Sequence, residues 1–165
     1  MIAFVPLATV ACSTVDALLD RTFGADRFGR TAYKVRGQGA PIPLLSFAAL
    51  DGTTLVGAIQ AWPVSFATDA GGVVDLVMIG PVAVDPARQG DGIGRMLMTE
   101  TLRAAQAERL DGGMMLIGDP DYYERFFGFS ADRTADWRLP GPVERHRLLA
   151  RGDAVPAIAG VLGPR

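Results

Sequence analysis

The alternation of apolar and polar residues divides the chain into short strands and amphipathic helices. Ile2–Leu7 reads as a strand, and Ser13 or Thr14 is then placed to cap a helix carrying Val15, Leu18, Leu19 and Phe23 at helical spacing, with Gly24 to end it. Residues 26–36 are polar with Phe28, Tyr33 and Val35 interspersed, which predicts a second, short amphipathic helix before the turn region of Gly37, Gly39, Pro41 and Pro43. Three β-rich runs follow, at 44–50, 54–63 and 73–84, separated by Asp51-Gly52 and by Asp69 to Gly72, and they predict an antiparallel meander. The period then changes, because Ile93, Met96, Leu97, Leu102, Ala105 and Leu110 fall on or near one helical face from about Gly92. Asp111-Gly112-Gly113 ends that helix. Met114–Gly118 then reads as a strand lying parallel to the one before the helix, joined to it by a right-handed crossover. Asp119 as N-cap, Pro120 at the first helical position and Gly128 as C-terminal cap define a short helix through Tyr122–Phe127. Phe129 onward is expected to return to strand, and Arg145–Ala150 to form one more strand after the Pro140-Gly141-Pro142 loop, with the Gly- and Pro-containing tail unassigned.

Composition narrows the class. With 165 residues, 49% hydrophobic and 21% charged, the chain is expected to form one domain over 1–165, with its core in about 1–150 and residues 151–165 unassigned. The 16 basic and 18 acidic residues leave a formal charge of −2 with no basic run, which argues against nucleic acid as a partner. The single cysteine, Cys12, and single histidine, His146, exclude disulfide frameworks, Cys/His zinc sites and His-based triads within one chain, and no metal is expected. The opening Met1–Cys12 superficially looks like a signal segment. It carries no Lys or Arg before its apolar stretch, so it reads as a first strand running into a helix. No apolar run approaches the roughly 18 residues of a membrane span, so a cytoplasmic protein without a membrane partner is expected.

The chemistry is concentrated in Val82-Ala83-Val84-Asp85-Pro86-Ala87-Arg88-Gln89-Gly90-Asp91-Gly92-Ile93-Gly94-Arg95. Three alternate glycines at a strand-to-helix junction expose backbone N–H groups at a positive helix end, which is the chemistry of a pyrophosphate cradle. No Gly-Lys-Ser/Thr follows, and the spacing is not G-x-G-x-x-G, so neither a P-loop nor a dinucleotide fingerprint is present. Gln89-x-x-Gly92-x-Gly94 resembles the pyrophosphate loop of the GNAT superfamily of acyl-CoA-dependent N-acetyltransferases. The resemblance extends through the helix that follows to Gly118-Asp119-Pro120-Asp121-Tyr122-Tyr123-Glu124-Arg125-Phe126-Phe127-Gly128-Phe129, which looks like that family's Tyr-x-x-x-Gly-Phe signature in a bacterial subgroup with paired tyrosines.

The resemblance implies an α/β domain of the α+β type, with a mixed, mostly antiparallel sheet of roughly six to seven strands flanked by helices. A splayed parallel strand pair would form the acyl-CoA cleft. In it, Val82 and Val84 would bond the pantetheine arm of acetyl-CoA, an N–H near Ala83 or Val84 would meet the oxyanion, and the amides of Gln89, Gly90, Asp91, Gly92, Ile93, Gly94 and Arg95 would hold the pyrophosphate. The Arg95 guanidinium either adds a charged contact there or is a solvated helix residue. The acetyl group would pass to an unidentified primary amine by direct attack in a ternary complex; a non-catalytic acyl-CoA sensor is the alternative.

Tyr123, and after it Tyr122, is the candidate acid for the departing thiolate, because a phenol of reference pKa about 10 can protonate it. The doubled Phe126-Phe127 shifts the register, so that counting back four from Gly128 lands on Glu124. Packing of both rings on a short helix is the structural reading of the same residues. Asp75, on the strand leading to the cradle, is the candidate general base, directly or through water, with its facing left open by a possible bulge at Gly80-Pro81. His146 reads as an ordinary strand residue and Cys12 as a buried or half-buried thiol. Trp62 and Phe28 read as core, or else as the lining of an acceptor pocket. A homodimer is possible through edge strands or the C-terminal segment.

Overall fold

The computed structural model describes residues 1–165. In chain order the main elements are β1 (Ile2–Pro6), α1 (Cys12–Phe23), α2 (Thr31–Arg36), β2 (Phe47–Asp51), β3 (Thr54–Thr68), β4 (Val73–Val84), α3 (Ile93–Ala107), β5 (Met114–Ile117), α4 (Pro120–Phe127), β6 (Trp137–Arg138), β7 (Leu148–Arg151) and β8 (Gly160–Pro164). Strand pairing runs β1-β2-β3-β4-β5-β7, with β8 on β3 and β6 on β8, giving the mixed α/β architecture that the sequence implied. The eighth strand exceeds the six to seven expected. The chain groups into two compact units, the first made of Met1–Phe28, Pro41–Ala61 and Gly80–Glu108, the second of Gly29–Ala40, Trp62–Ile79 and Arg109–Arg165.

In the first unit β1 and β2 pair antiparallel, as do β2 and the first half of β3. Leu7, Val15, Leu18, Leu19, Ala48, Leu55, Ala58 and Ala83 form its apolar core. The buried Arg27 is paired with Asp16 at 3.3 Å and with Asp20, so its charge is compensated where solvent is excluded. Helix α3 contributes Ile93, Leu97, Met98, Thr101 and Ala105 to the interior, and the Thr101 hydroxyl donates to the Leu45 carbonyl at 3.0 Å. Met96, expected on that face, is exposed because the buried stripe runs through Met98 and Thr101, and Leu110 is exposed because α3 ends at Ala107.

In the second unit the parallel β4–β5 ladder consists of Val77 with Met114 and Met78 with Met115. Antiparallel β7 continues from β5. The second half of β3 pairs with β8, with Val64 opposite Pro164 and Thr68 opposite Gly160. The core holds Trp62, Phe66, Met78, Met115, Trp137 and Leu162, with the Phe66 and Trp137 rings 4.7 Å apart and the Trp137 indole N–H donating to the Pro156 carbonyl at 3.0 Å.

Several expectations are corrected. Helix α1 starts at Cys12 behind an Ala11 N-cap that makes no side-chain bond, so Ser13 and Thr14 lie inside the first turn and Cys12 is exposed. The segment 26–36 is broken at Gly29-Arg30 into a 3-10 turn and α2. Residues 43–45 form a 3-10 turn, so β2 begins at Phe47. Strand β3 runs on through Pro63 to Thr68, five residues beyond the expected end. Between Phe129 and β6 only the isolated Ser130–Ala150 bridge forms, in place of a strand. His146 sits exposed in a 3-10 turn, 3.5 Å from Glu144, and Phe28 is exposed whereas Trp62 is buried. No helix is long and apolar enough to cross a membrane.

Candidate active site

Strand β4 changes its edge pairing part-way along. The Val77 N–H bonds to Gly113 ahead of β5, whereas the Asp85 N–H, just beyond the strand, bonds to Val56 of β3 at 2.8 Å. Successive residues of a regular strand alternate edges, so two odd-numbered residues would face the same side. The alternation is therefore reversed between them, and Gly80, with φ of 130° and a cis peptide bond to Pro81, lies in that interval. From Asp85 backwards, the backbone of Ala83 faces β3, in agreement with its carbonyl oxygen lying 3.3 Å from the position a Gly57 Cβ would take. Val82 and Val84 consequently turn their backbone groups to the edge away from β3, where the ladder with β5 has ended at Met78.

The loop after β4 is fixed by local chemistry. The Asp85 carboxylate accepts from the Ala87 N–H at 2.9 Å and Pro86 starts a 3-10 turn. Arg88 ties this turn down, donating from Nη1 to Asp51 at 2.8 Å and from Nε to Asp91 at 2.9 Å. The hydrogen bond from Arg88 holds the Asp51 carboxyl below its ordinary range, assisted by the charge of the chain's amino terminus. Gly90 and Gly92, with φ of 91° and 80°, occupy the left-handed region that favours glycine. Gly92 is also the N-cap of α3 and, lacking a side chain, leaves the first N–H groups of the helix uncapped. Of the amides expected to serve as donors, that of Asp91 is turned inward to the Arg88 carbonyl at 3.4 Å. A Cβ on Gly94 would meet Val84 and Val82 at 3.5 and 3.9 Å, so a small residue there lets α3 lie close to β4. Arg95 is exposed one residue further on.

In the second unit, the Asp119 side chain caps α4 by accepting from the Asp121 N–H at 3.0 Å, and Gly128 closes it in the left-handed conformation. Gly128 N–H bonds to the Glu124 carbonyl and Phe129 N–H to that of Tyr123, at 3.0 and 3.2 Å, which closes the C-terminal cap with Phe126 and Phe127 both inside the helix. The side chain that reaches back to the end of β5 is thus Tyr123. Its ring occupies the space a Cβ on Gly118 would need, and Glu124 is exposed. Tyr122 stands edge-on to Tyr123 with centroids 4.9 Å apart, and also meets Phe126 and Phe127.

Burial pushes the Tyr123 phenol up to about 12, helped by Tyr122 and Asp119 and opposed by the positive charge of Arg147. Gly118, at the head of the tyrosine segment, admits the ring by its missing side chain, and one contributor lies in no motif: Arg147, whose carbonyl accepts the Gly118 N–H at 3.0 Å. Asp75 is exposed on β4 and paired with Arg165 at 3.1 Å, away from the α4 tyrosines in its bonding.

A strand, a glycine cradle and a helix, followed by a strand and a capped tyrosine helix, define an acetyltransferase fold. Residues 15–129 match the acetyltransferase (GNAT) family, and the chain belongs to that family. It is 30% identical over 154 residues to the uncharacterized N-acetyltransferase YhbS of Escherichia coli strain K12, covering 90% of this chain and 87% of the relative. The crystal structure of Escherichia coli YhbS in complex with CoA superposes with a TM-score of 0.73 at 25% identity, covering 100% of this chain and 89% of that one. A GNAT family acetyltransferase from Brucella melitensis in complex with acetyl-CoA gives a TM-score of 0.58 at 25% identity, covering 93% and 97% of the two chains.

Proposed function

We propose that this chain moves an acetyl group from acetyl-CoA to a primary amine by direct attack within a ternary complex. The observation that carries the reading is the loop before α3, where two left-handed glycines and an uncapped helix start present backbone donors without side-chain obstruction. The amides of Gln89, Gly90, Gly92, Ile93, Gly94 and Arg95 hold the pyrophosphate, and the Arg95 guanidinium adds charge. Val82 and Val84 bond the extended pantetheine arm along the free edge of β4. The Val84 N–H, facing that edge, is the oxyanion donor in preference to that of Ala83. The binding of CoA by YhbS and of acetyl-CoA by the Brucella melitensis protein supports this reading.

The neutral amine attacks the thioester carbonyl, a C–N bond forms, the C–S bond breaks, and the nitrogen loses one proton. Tyr123 gives its phenolic proton to the departing thiolate and is reprotonated from solvent; Tyr122 supports it edge-on. At about 12 the phenol is a weaker acid than in water, but it enters the reaction fully protonated, and a thiolate buried beside it is raised by the same desolvation. The amine proton goes to solvent, since the Asp75 carboxylate is engaged by Arg165.

Calorimetric titration with CoA and acetyl-CoA, followed by thiol release across a panel of primary amines, tests the reading. Binding with amine-dependent release supports the transferase. Binding without release replaces it with the acyl-CoA sensor, and no binding refutes the cradle.

A further inference from the structure

The second unit carries an open cleft of about 590 Å³ formed by the start of α2, the end of β5 and residues 142–147, within the size range of sites for small organic ligands. Its walls are tied to one another. The Thr31 hydroxyl donates to the Pro142 carbonyl at 2.5 Å, and Gly141 passes so close that a Cβ there would lie 2.6 Å from the Thr31 hydroxyl. The Arg147 N–H donates to the Glu144 carbonyl at 2.9 Å, while its own carbonyl holds the N–H of Gly118. The cleft thus adjoins the residue on which the Tyr123 ring rests, and the Arg147 charge acts on the Tyr123 phenol.

The lining is divided by chemistry. Ala32, Ile117 and Val143 form an apolar wall continuous with the core of this unit. Arg30, Arg147 and Glu144 supply the charge, two guanidiniums against one carboxylate, and that carboxylate lies 3.5 Å from the imidazole of His146. A wall of that balance repels a polycation. A guanidinium fork also matches the two oxygens of a carboxylate, which a simple alkylamine lacks.

We infer that this cleft is the acceptor site, and that its acceptor is a primary amine bearing a carboxylate, an amino acid in the broad sense, whose carboxylate is held by Arg147. The inference rests on the transferase reading above and deepens it by naming the acceptor class. The apolar wall receives the acceptor's hydrocarbon portion, and the amine is presented on the side of Gly118 and Tyr123.

The test uses acceptor pairs that differ only by a carboxylate, L-leucine with isoamylamine and L-phenylalanine with phenethylamine, together with cadaverine as a dication. Each is assayed by thiol release with acetyl-CoA and by calorimetric binding to the CoA-saturated protein. The amino acid of each pair is expected to exceed its partner in kcat/KM by about tenfold or more, Arg147→Gln to bring the ratio to about one, and Arg147→Lys to keep part of it. Comparing the two acceptors within one variant cancels whatever the substitution does at Tyr123. A wild-type ratio of one or below, a preference for cadaverine, or a ratio that survives Arg147→Gln overturns the inference. If no amine releases thiol while Arg147→Gln still abolishes L-phenylalanine binding, the transferase reading fails and the carboxylate site stands. If amines turn over but neither amino acid binds, the transferase stands and the carboxylate site is refuted.

Discussion

Replacing Tyr123 by phenylalanine keeps the ring beneath Gly118 and its edge contact with Tyr122 at 4.9 Å, so it removes a proton and little packing. A positioned general acid contributes about 10²–10⁴ in rate, or roughly 3–5 kcal/mol of barrier at about 1.4 kcal/mol per tenfold. Tyr123→Phe is therefore expected to lower kcat about a hundredfold or more, with the Kd of acetyl-CoA changed less than about threefold. A second, independent consequence comes from burial, which raises the phenol from 10.0 to about 12 in the folded chain. The unfolded chain releases this proton first, so the stability tied to the neutral phenol is complete below pH 10 and is lost as pH rises to about 12. The whole loss is about 3 kcal/mol, and Tyr123→Phe should not show it. Thiol release at saturating amine near neutral pH reads the first effect; urea unfolding at about pH 8 and about pH 11 reads the second. A kcat within about threefold of wild type would refute the acid, and an equal alkaline loss in both proteins would refute burial as the cause.

Three further substitutions probe the supporting parts. Gly92→Ala meets open space but forces an L-residue to a φ of 80°, at a cost of about 1–2 kcal/mol, and is expected to raise the calorimetric Kd of acetyl-CoA about tenfold; an unchanged Kd contradicts the cradle. Gly118→Ala places a methyl group where the Tyr123 ring lies and should lower kcat while leaving the acetyl-CoA Kd near wild type; a loss of melting temperature with normal kcat would show that the ring's position is immaterial. Arg88→Ala frees Asp51, whose carboxyl should titrate upward towards 3.8 by NMR, and loosens the turn before the cradle, raising the acetyl-CoA Kd; an unmoved Asp51 titration refutes the anchor.

The parts legible in the sequence are those written by local rules. Asp119, Pro120 and Gly128 specify α4 through groups within one turn of each helix end, and Gly90 and Gly92 mark left-handed positions that few other residues tolerate. What stayed hidden depends on distant partners. Pro63 interrupts the pattern of β3 although the strand continues, and the two glycines and the proline among the five residues of β8 hide its pairing with β3. The opposite bonding edges of Val77 and Asp85 depend on which partners their N–H groups meet, Gly113 and Val56, far away in the chain, and composition does not set them. Arg147 reaches its place beside Gly118 through tertiary bonding, so no local spacing announces it.

The pairing of β3 with β8 joins Val64 to Pro164, residues a hundred positions apart. Such a contact gains its hydrogen bonds only after a long loop has closed, so it belongs to the late, slow part of folding. Until β8 arrives, Val64–Thr68 carries an open row of backbone donors and acceptors on a largely apolar strand, the kind of surface that recruits strands from other molecules. Production of the protein is therefore most exposed to aggregation in the interval before β8 docks, and a fusion that delays β8 would lengthen that interval without touching the acetyl-transfer chemistry.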